Sequence, residues 1–500
     1  MLNPWTARQR WDPFLSVFML VLLTSCANPL NQATYDRYFA QGREALHKGD
    51  LQVAEMAYYR ALVNARVGHL GPAAEGASAY NLGLVKRSLC KPHEAEDLLR
   101  HALQLEETAP QPNSELMSKR LLELARLHYD RGQYSDTVNL IGRWLPVSAE
   151  LGVEKSYPVD QADILEHYAN ALHKVGRADE AKKAEVHAKS LRSGEDAAAK
   201  QRSMKDDYFY PPEKFIWKEV TRIPVGKDPT GVAVGAGAVW VALMEENSVI
   251  RIDPKELQTI GQSILVGKQP SGVAITEDSL WVANMGEATV SRVALQTGKV
   301  LATIPVGNGP RQITAGAGAI WVSNFDDGTV SKIDPRLNQV VTTVKIGEHA
   351  KGLVIEDGIL WVATNTSIVR VDLTSNQLVG KPINMENIQG IDFGGGAVWA
   401  ADLQAAVLNR IDARTSQVVA QIPVSRRPSV VLVRKEIVWV TNYSDHTVSR
   451  IDTHTNKVIG KPIRVGIGPV FFAFGDHTLW VASRCSESLS RINVEALGPP

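Results

Sequence analysis

Three cysteines in 500 residues are too few for a disulfide framework or a structural zinc cluster. Net charge is missing as well. The 54 Lys and Arg are matched by 54 Asp and Glu, so no overall field draws the chain to nucleic acid, and a nucleic-acid partner is not expected. The apolar run from Phe14 to Leu23 is too short to cross roughly 30 Å of hydrocarbon. No phosphate loop of the Walker type, no HExxH helix and no Gly-x-Ser-x-Gly elbow occurs. The motifs therefore assign no catalytic residue, cofactor or metal. What remains is 44% apolar and 22% charged, an ordinary globular composition in a chain long enough for more than one domain.

Arg8 and Arg10 precede the short apolar run, as in a signal-peptide core. The run ends in Leu23-Thr24-Ser25-Cys26, which resembles a bacterial lipobox. The resemblance implies a signal peptide over 1–25 and a lipid on Cys26. It also implies a tether over 26–34 and a membrane partner reached through the acyl chains. Ala27 after the cysteine implies the periplasmic side of the outer membrane in a cell that has one. Cys90 and Cys485 fall in different expected domains and read as buried, inert thiols.

Residues 35–192 carry apolar residues at helical spacing. One pattern recurs: Gly42, Ala54, Tyr58 and Ala61, then Gly83, Ala95, Leu99 and Ala102. Looser copies start at Ala125 and Ala169. Turn signals such as Lys48-Gly49-Asp50 and Arg131-Gly132-Gln133 separate paired helices. The pattern resembles tetratricopeptide repeats and implies four helical hairpins whose stacking offers a surface to a protein partner. Residues 193–214 lose the periodicity and close on Pro211-Pro212, which marks a linker.

From 215 to 500 one unit repeats seven times. Its tryptophans stand at 240, 281, 321, 361, 399, 439 and 480. Eleven residues before them stand Pro229, Pro270, Pro310, Ala350, Ile388, Pro428 and Pro469. Eleven after six of them stand Arg251, Arg292, Lys332, Arg410, Arg450 and Arg491, and Arg370 follows Trp361 more closely. Each unit holds short alternating strands punctuated by Gly, Asp and Asn. The units resemble the YVTN-family repeat, nearly spelled by Trp439-Val440-Thr441-Asn442, and the related virginiamycin B lyase repeat. The expected fold class is α + β multidomain, a helical solenoid followed by an all-β seven-bladed propeller. The entering segment Val220–Gly226 matches a fourth strand, and the chain leaves after three, so the first strand is expected to complete blade seven.

In such a ring two sets of loops share one face. The residue after each turn position lies near the channel: Thr230, Ser271, Arg311, Lys351, Gln389, Ser429 and Val470. The residue three after each Trp opens the second loop: Leu243, Asn284, Asn324, Thr364, Asp402, Asn442 and Ser483. Arg427, Arg484, His349 and His446 lie in the same loops. Variation within a repeat is where a site is built. Arg311, Lys351, Gln389, Asn284, Asn324, Asp402, Asn442, Arg427 and Arg484 are therefore the candidate binding face, suited to a small polar or anionic ligand. The asparagines read equally well as turn formers. The function expected is an envelope-anchored interaction or ligand-binding scaffold. The alternative is a propeller enzyme, lyase-like or lactonase-like. The lyase family places His and acidic residues around its cavity, and the inner ring here has no His.

Overall fold

The computed structural model describes residues 29–48, 50–193, 219–475 and 477–498. The leader, Cys26 and the linker from 194 lie outside the described residues. The described residues divide into two compact units. One holds those up to Ala125 with Leu140–Val153, the other Arg126–Asn139 with those from Glu154 on.

The helical region is built from pairs: α1 (Pro29–Lys48) with α2 (Leu51–Val67), and α3 (Pro72–Ser88) with α4 (Pro92–Glu107). Then come α5 (Ser114–Asp130), α6 (Tyr134–Glu150), the single turn α7 (Val153–Ser156), α8 (Pro158–Lys174) and α9 (Ala178–Ser193). The stretch read as a tether is thus helical from Pro29. Proline opens α3, α4 and α8, where its missing N–H would be unpaired in any case. The recurring glycines allow close approach. A Cβ on Gly42 would stand 2.9 Å from the Tyr58 ring, and one on Gly83 2.9 Å from Leu99. No described helix is long and apolar enough to cross a membrane.

The strands form seven sheets, each strand antiparallel to its neighbours. In the first complete blade β2 (Pro229–Gly235), β3 (Ala238–Leu243), β4 (Ser248–Ile252) and β5 (Ile264–Leu265) pair in chain order. The seventh sheet takes its outer strand from β1 (Val220–Pro224), which pairs with Ser488–Asn493, Val220 opposite Ile492. The ring is therefore closed by exchange, as its two ends implied. Trp240, Trp281, Trp321, Trp399, Trp439 and Trp480 are almost wholly buried, at 1% exposure or less, each in an apolar cluster shared by adjacent blades. Each tryptophan faces the recurring cation across the strand pair, Trp240 opposite Arg251 and Trp361 opposite Arg370. Five of these cations lie 5.0–5.7 Å from the ring centroid, a cation–π arrangement. Asp253, Asp334, Asp372, Asp412 and Asp452 accept backbone N–H groups in the following turn. The Arg-Ile-Asp triplets are thus scaffold.

Within the second unit Asp130 is fully buried with Arg464, whose Nη2 stands 3.9 Å away. Burial pushes the Asp130 carboxyl up, but Arg464 and Arg222 outweigh it and hold it below the usual range. Arg222 donates its backbone N–H to the Tyr134 hydroxyl at 2.9 Å, and Lys174 donates to Thr221 at 2.7 Å. These bonds tie β1 to the residues that precede it. Cys90 and Cys485 are both disulfide-bonded, which corrects the expectation of inert thiols: neither sulfur is left as a free S–H.

Candidate functional site

In six repeats the turn position opens the inner strand and a register shift follows it at once; in the fourth, Ala350 precedes an inner strand that begins only at Leu353. Register shifts fall between Pro229 and Val232, Pro270 and Val273, Pro310 and Ile313, Ile388 and Ile391, and Pro428 and Val431. A bulge leaves a residue out of the ladder and re-aims its side chain. Proline suits the place, because it begins the strand and has no donor to lose. The residues after the turn positions converge: Thr230, Ser271, Arg311, Lys351, Gln389, Ser429 and Val470 all line one cavity of about 280 Å3. Every member of the inner ring read from the sequence is there.

The second ring is displaced by one residue. Met244, Met285, Phe325 and Arg484, four after their tryptophans, line the cavity. The residues three after do not. Asn284, Asn324 and Asn442 are fully buried, and each Nδ2 donates to a Thr and a Ser hydroxyl of its own blade at 2.9–3.0 Å. Asp402 accepts the N–H groups of Gln404 and Ala405 at 2.9 Å and closes a turn. The cause is strand alternation: the residue that ends the strand turns into the sheet, and its successor turns out. The successor's N–H also bonds the inner loop, Met244 to Asp228 at 2.9 Å and Phe325 to Gly309 at 2.9 Å. Arg427 is exposed over the Tyr443 ring, 5.4 Å from its centroid, and is not among the lining residues.

Arg311 and Lys351 face this cavity without a carboxylate in ion-pair range among the described residues. Arg311 lies over Phe325 at 5.2 Å, and its Nη2 is 3.4 Å from Gln389 Oε1. Burial, then the charge of Arg484, lowers the Arg311 pKa. Burial, then Arg311, lowers that of Lys351, which is 6% exposed. Arg484 differs. Burial works against its charge, but Asp228 outweighs this and raises its pKa through two hydrogen bonds. Asp327 is engaged elsewhere, accepting from the Asn308 backbone at 2.6 Å and side chain at 2.9 Å. His446 is held neutral: burial, then Arg464, drops its pKa to about 3. The site offers two uncompensated cations, an amide, three hydroxyls and a wall of Met244, Met285, Phe325 and Phe471. That is equipment for holding an anion with an apolar body.

The fold makes this chain a helical-hairpin protein with a seven-bladed β-propeller. No family model matches it, and no curated protein does. Among solved structures it is similar to virginiamycin B lyase from Staphylococcus aureus, at 17% identity and a TM-score of 0.49. That match covers 55% of this chain and 98% of the other. It is similar also to Kuenenia stuttgartiensis hydrazine synthase, at 15% identity and a TM-score of 0.49, over 53% of this chain and 95% of the other.

Proposed function

We propose that this protein is a ligand-binding scaffold anchored in the cell envelope, and that its propeller cavity captures an anion through Arg311 and Lys351. One observation carries the reading: these neighbouring cations are desolvated beside one another with no carboxylate among the described residues to neutralise them. Their mutual repulsion works against the fold, and the residues at the same register elsewhere, such as Thr230 and Ser271, need no charge. A bound anion offsets that repulsion. The address rests on Leu23-Thr24-Ser25-Cys26. The disulfide-bonded Cys90 and Cys485 suit an oxidising compartment outside the cytoplasm. The tetratricopeptide-like hairpins supply a second surface, for a protein partner. The test is thermal melting with inorganic phosphate and a series of alkyl carboxylates. The wild type is expected to gain stability with each anion it holds. Arg311→Ala with Lys351→Ala is expected to lose that gain while melting no lower than wild type without anion. A double variant that keeps the full gain removes the site.

A further inference from the structure

We infer that the exposed face of α2 docks on an anionic phospholipid bilayer. The inner face of this helix is already spent, with Ala54, Ala57, Tyr58, Ala61, Leu62 and Ala65 buried. Its outer face is nonetheless apolar. Val53, Met56, Tyr59, Val63 and Val67 follow one another at spacings of three and four, a single stripe. Met56 is 54% exposed, Tyr59 58% and Val67 69%.

The repeat supplies an internal control. In α4 and its C-cap the same register positions hold Glu94, Asp97, Arg100, Gln104 and Thr108, all exposed. The hairpin therefore folds without apolar residues there, and the stripe in α2 answers to something outside the hairpin. Charge says what. The exposed face carries Arg60 and Arg66, the latter also paired with Glu75 at 2.7 Å. The helix's one acid, Glu55, lies off the stripe and is held by Lys86 and Lys91 at 2.8 Å. An apolar stripe flanked by arginine and free of acid suits the boundary between acyl chains and anionic headgroups. Position agrees. Cys26 precedes Pro29, the start of α1, by three residues, which span at most about 10 Å. This location rests on the anchoring reading above: a lipid on Cys26 holds the first hairpin at the bilayer, where a weak interfacial contact is multiplied by effective concentration.

The test uses the full lipidated chain in vesicles of phosphatidylethanolamine and phosphatidylglycerol. An environment-sensitive fluorophore is placed on Tyr59→Cys, and in a second sample on the register control Gln104→Cys. Acyl-brominated lipid is expected to quench the first several-fold more than the second. Met56→Asp with Val63→Gln installs residues that α4 already wears, and is expected to abolish the quenching at position 59. Equal, weak quenching at both positions overturns the inference. So does shielding of position 59 from an aqueous quencher without lipid quenching, since a second copy or another protein then covers the stripe. Mass spectrometry of the same sample reads the acyl group on Cys26. Its absence sinks the anchor alone, and quenching at position 59 still decides the docking.

Discussion

Asp392 shows at one residue how the repeat exposes an exception. Its register mates are Ala233, Ala274, Thr314, Val354, Leu432 and Ala473, so the inner strand has no use for charge there. Burial raises its pKa to about 6, with Glu356 adding to the effect, while its Oδ2 accepts the Val433 N–H at 2.6 Å. A carboxyl whose pKa rises on folding stabilises below its unfolded pKa and loses that contribution as pH climbs through the folded value. Ionised Asp392 therefore weakens the fold at pH 7. Asp392→Asn keeps an acceptor for Val433 and is expected to gain about 1–3 kcal/mol at pH 7. The gain shrinks between pH 6 and 4 and is gone below. Denaturant melts at pH 3.5, 5 and 7 check this, and a pH-independent difference contradicts it. The site was legible to the same kind of comparison. Arg311, Lys351 and Gln389 stood out because Thr230, Ser271 and Ser429 hold their register. Arg484 was legible as a loop cation. Asn284, Asn324 and Asn442 misled, because loop chemistry was read one residue too early. Only alternation along the strand, counted outward from the buried tryptophan, points to Met244, Met285 and Phe325.

Among elements β1 has the most uneven role. It belongs to the last blade by pairing and to the first by sequence. It buries Val220 and Ile223 against its adopted sheet, a contribution of roughly 3–6 kcal/mol. Deleting residues 216–226 is expected to remove about that much from the propeller and to leave Ser488–Asn493 as a bare edge prone to aggregation. A wild-type melting temperature after the deletion would refute the closure. The blades were readable because their signal repeats: tryptophan, cation and turn residue recur together, and each owes its place to one contact that also recurs. The hairpins were readable in their first two copies, where Gly42 meets Tyr58 and Gly83 meets Leu99. No interval could say that the compact units would part inside the helical region, or that Cys90 and Cys485 would be oxidised, because neither follows from local spacing.

For the whole molecule, the proposed lipid on Cys26 and the proposed anion site in the propeller belong to one chain. Cys26→Ala is expected to move the protein from the membrane pellet to the soluble envelope fraction and to abolish acyl labelling. If the stripe on α2 docks as proposed, a salt-sensitive remainder is expected to stay on the membrane. An unchanged pellet after a high-salt wash, with the acyl label retained, contradicts the anchor.

The closed ring also sets a timetable. Val220 waits for Ile492, roughly 270 residues later in synthesis, so the last blade cannot assemble until that strand has emerged. A chain that emerges in the N-to-C direction carries β1 as an unsatisfied edge for that whole interval, the state in which strands find wrong partners. Protease resistance of the propeller is then expected to appear abruptly once residues 488–492 have emerged instead of blade by blade, and chains stalled before residue 488 should remain digestible throughout.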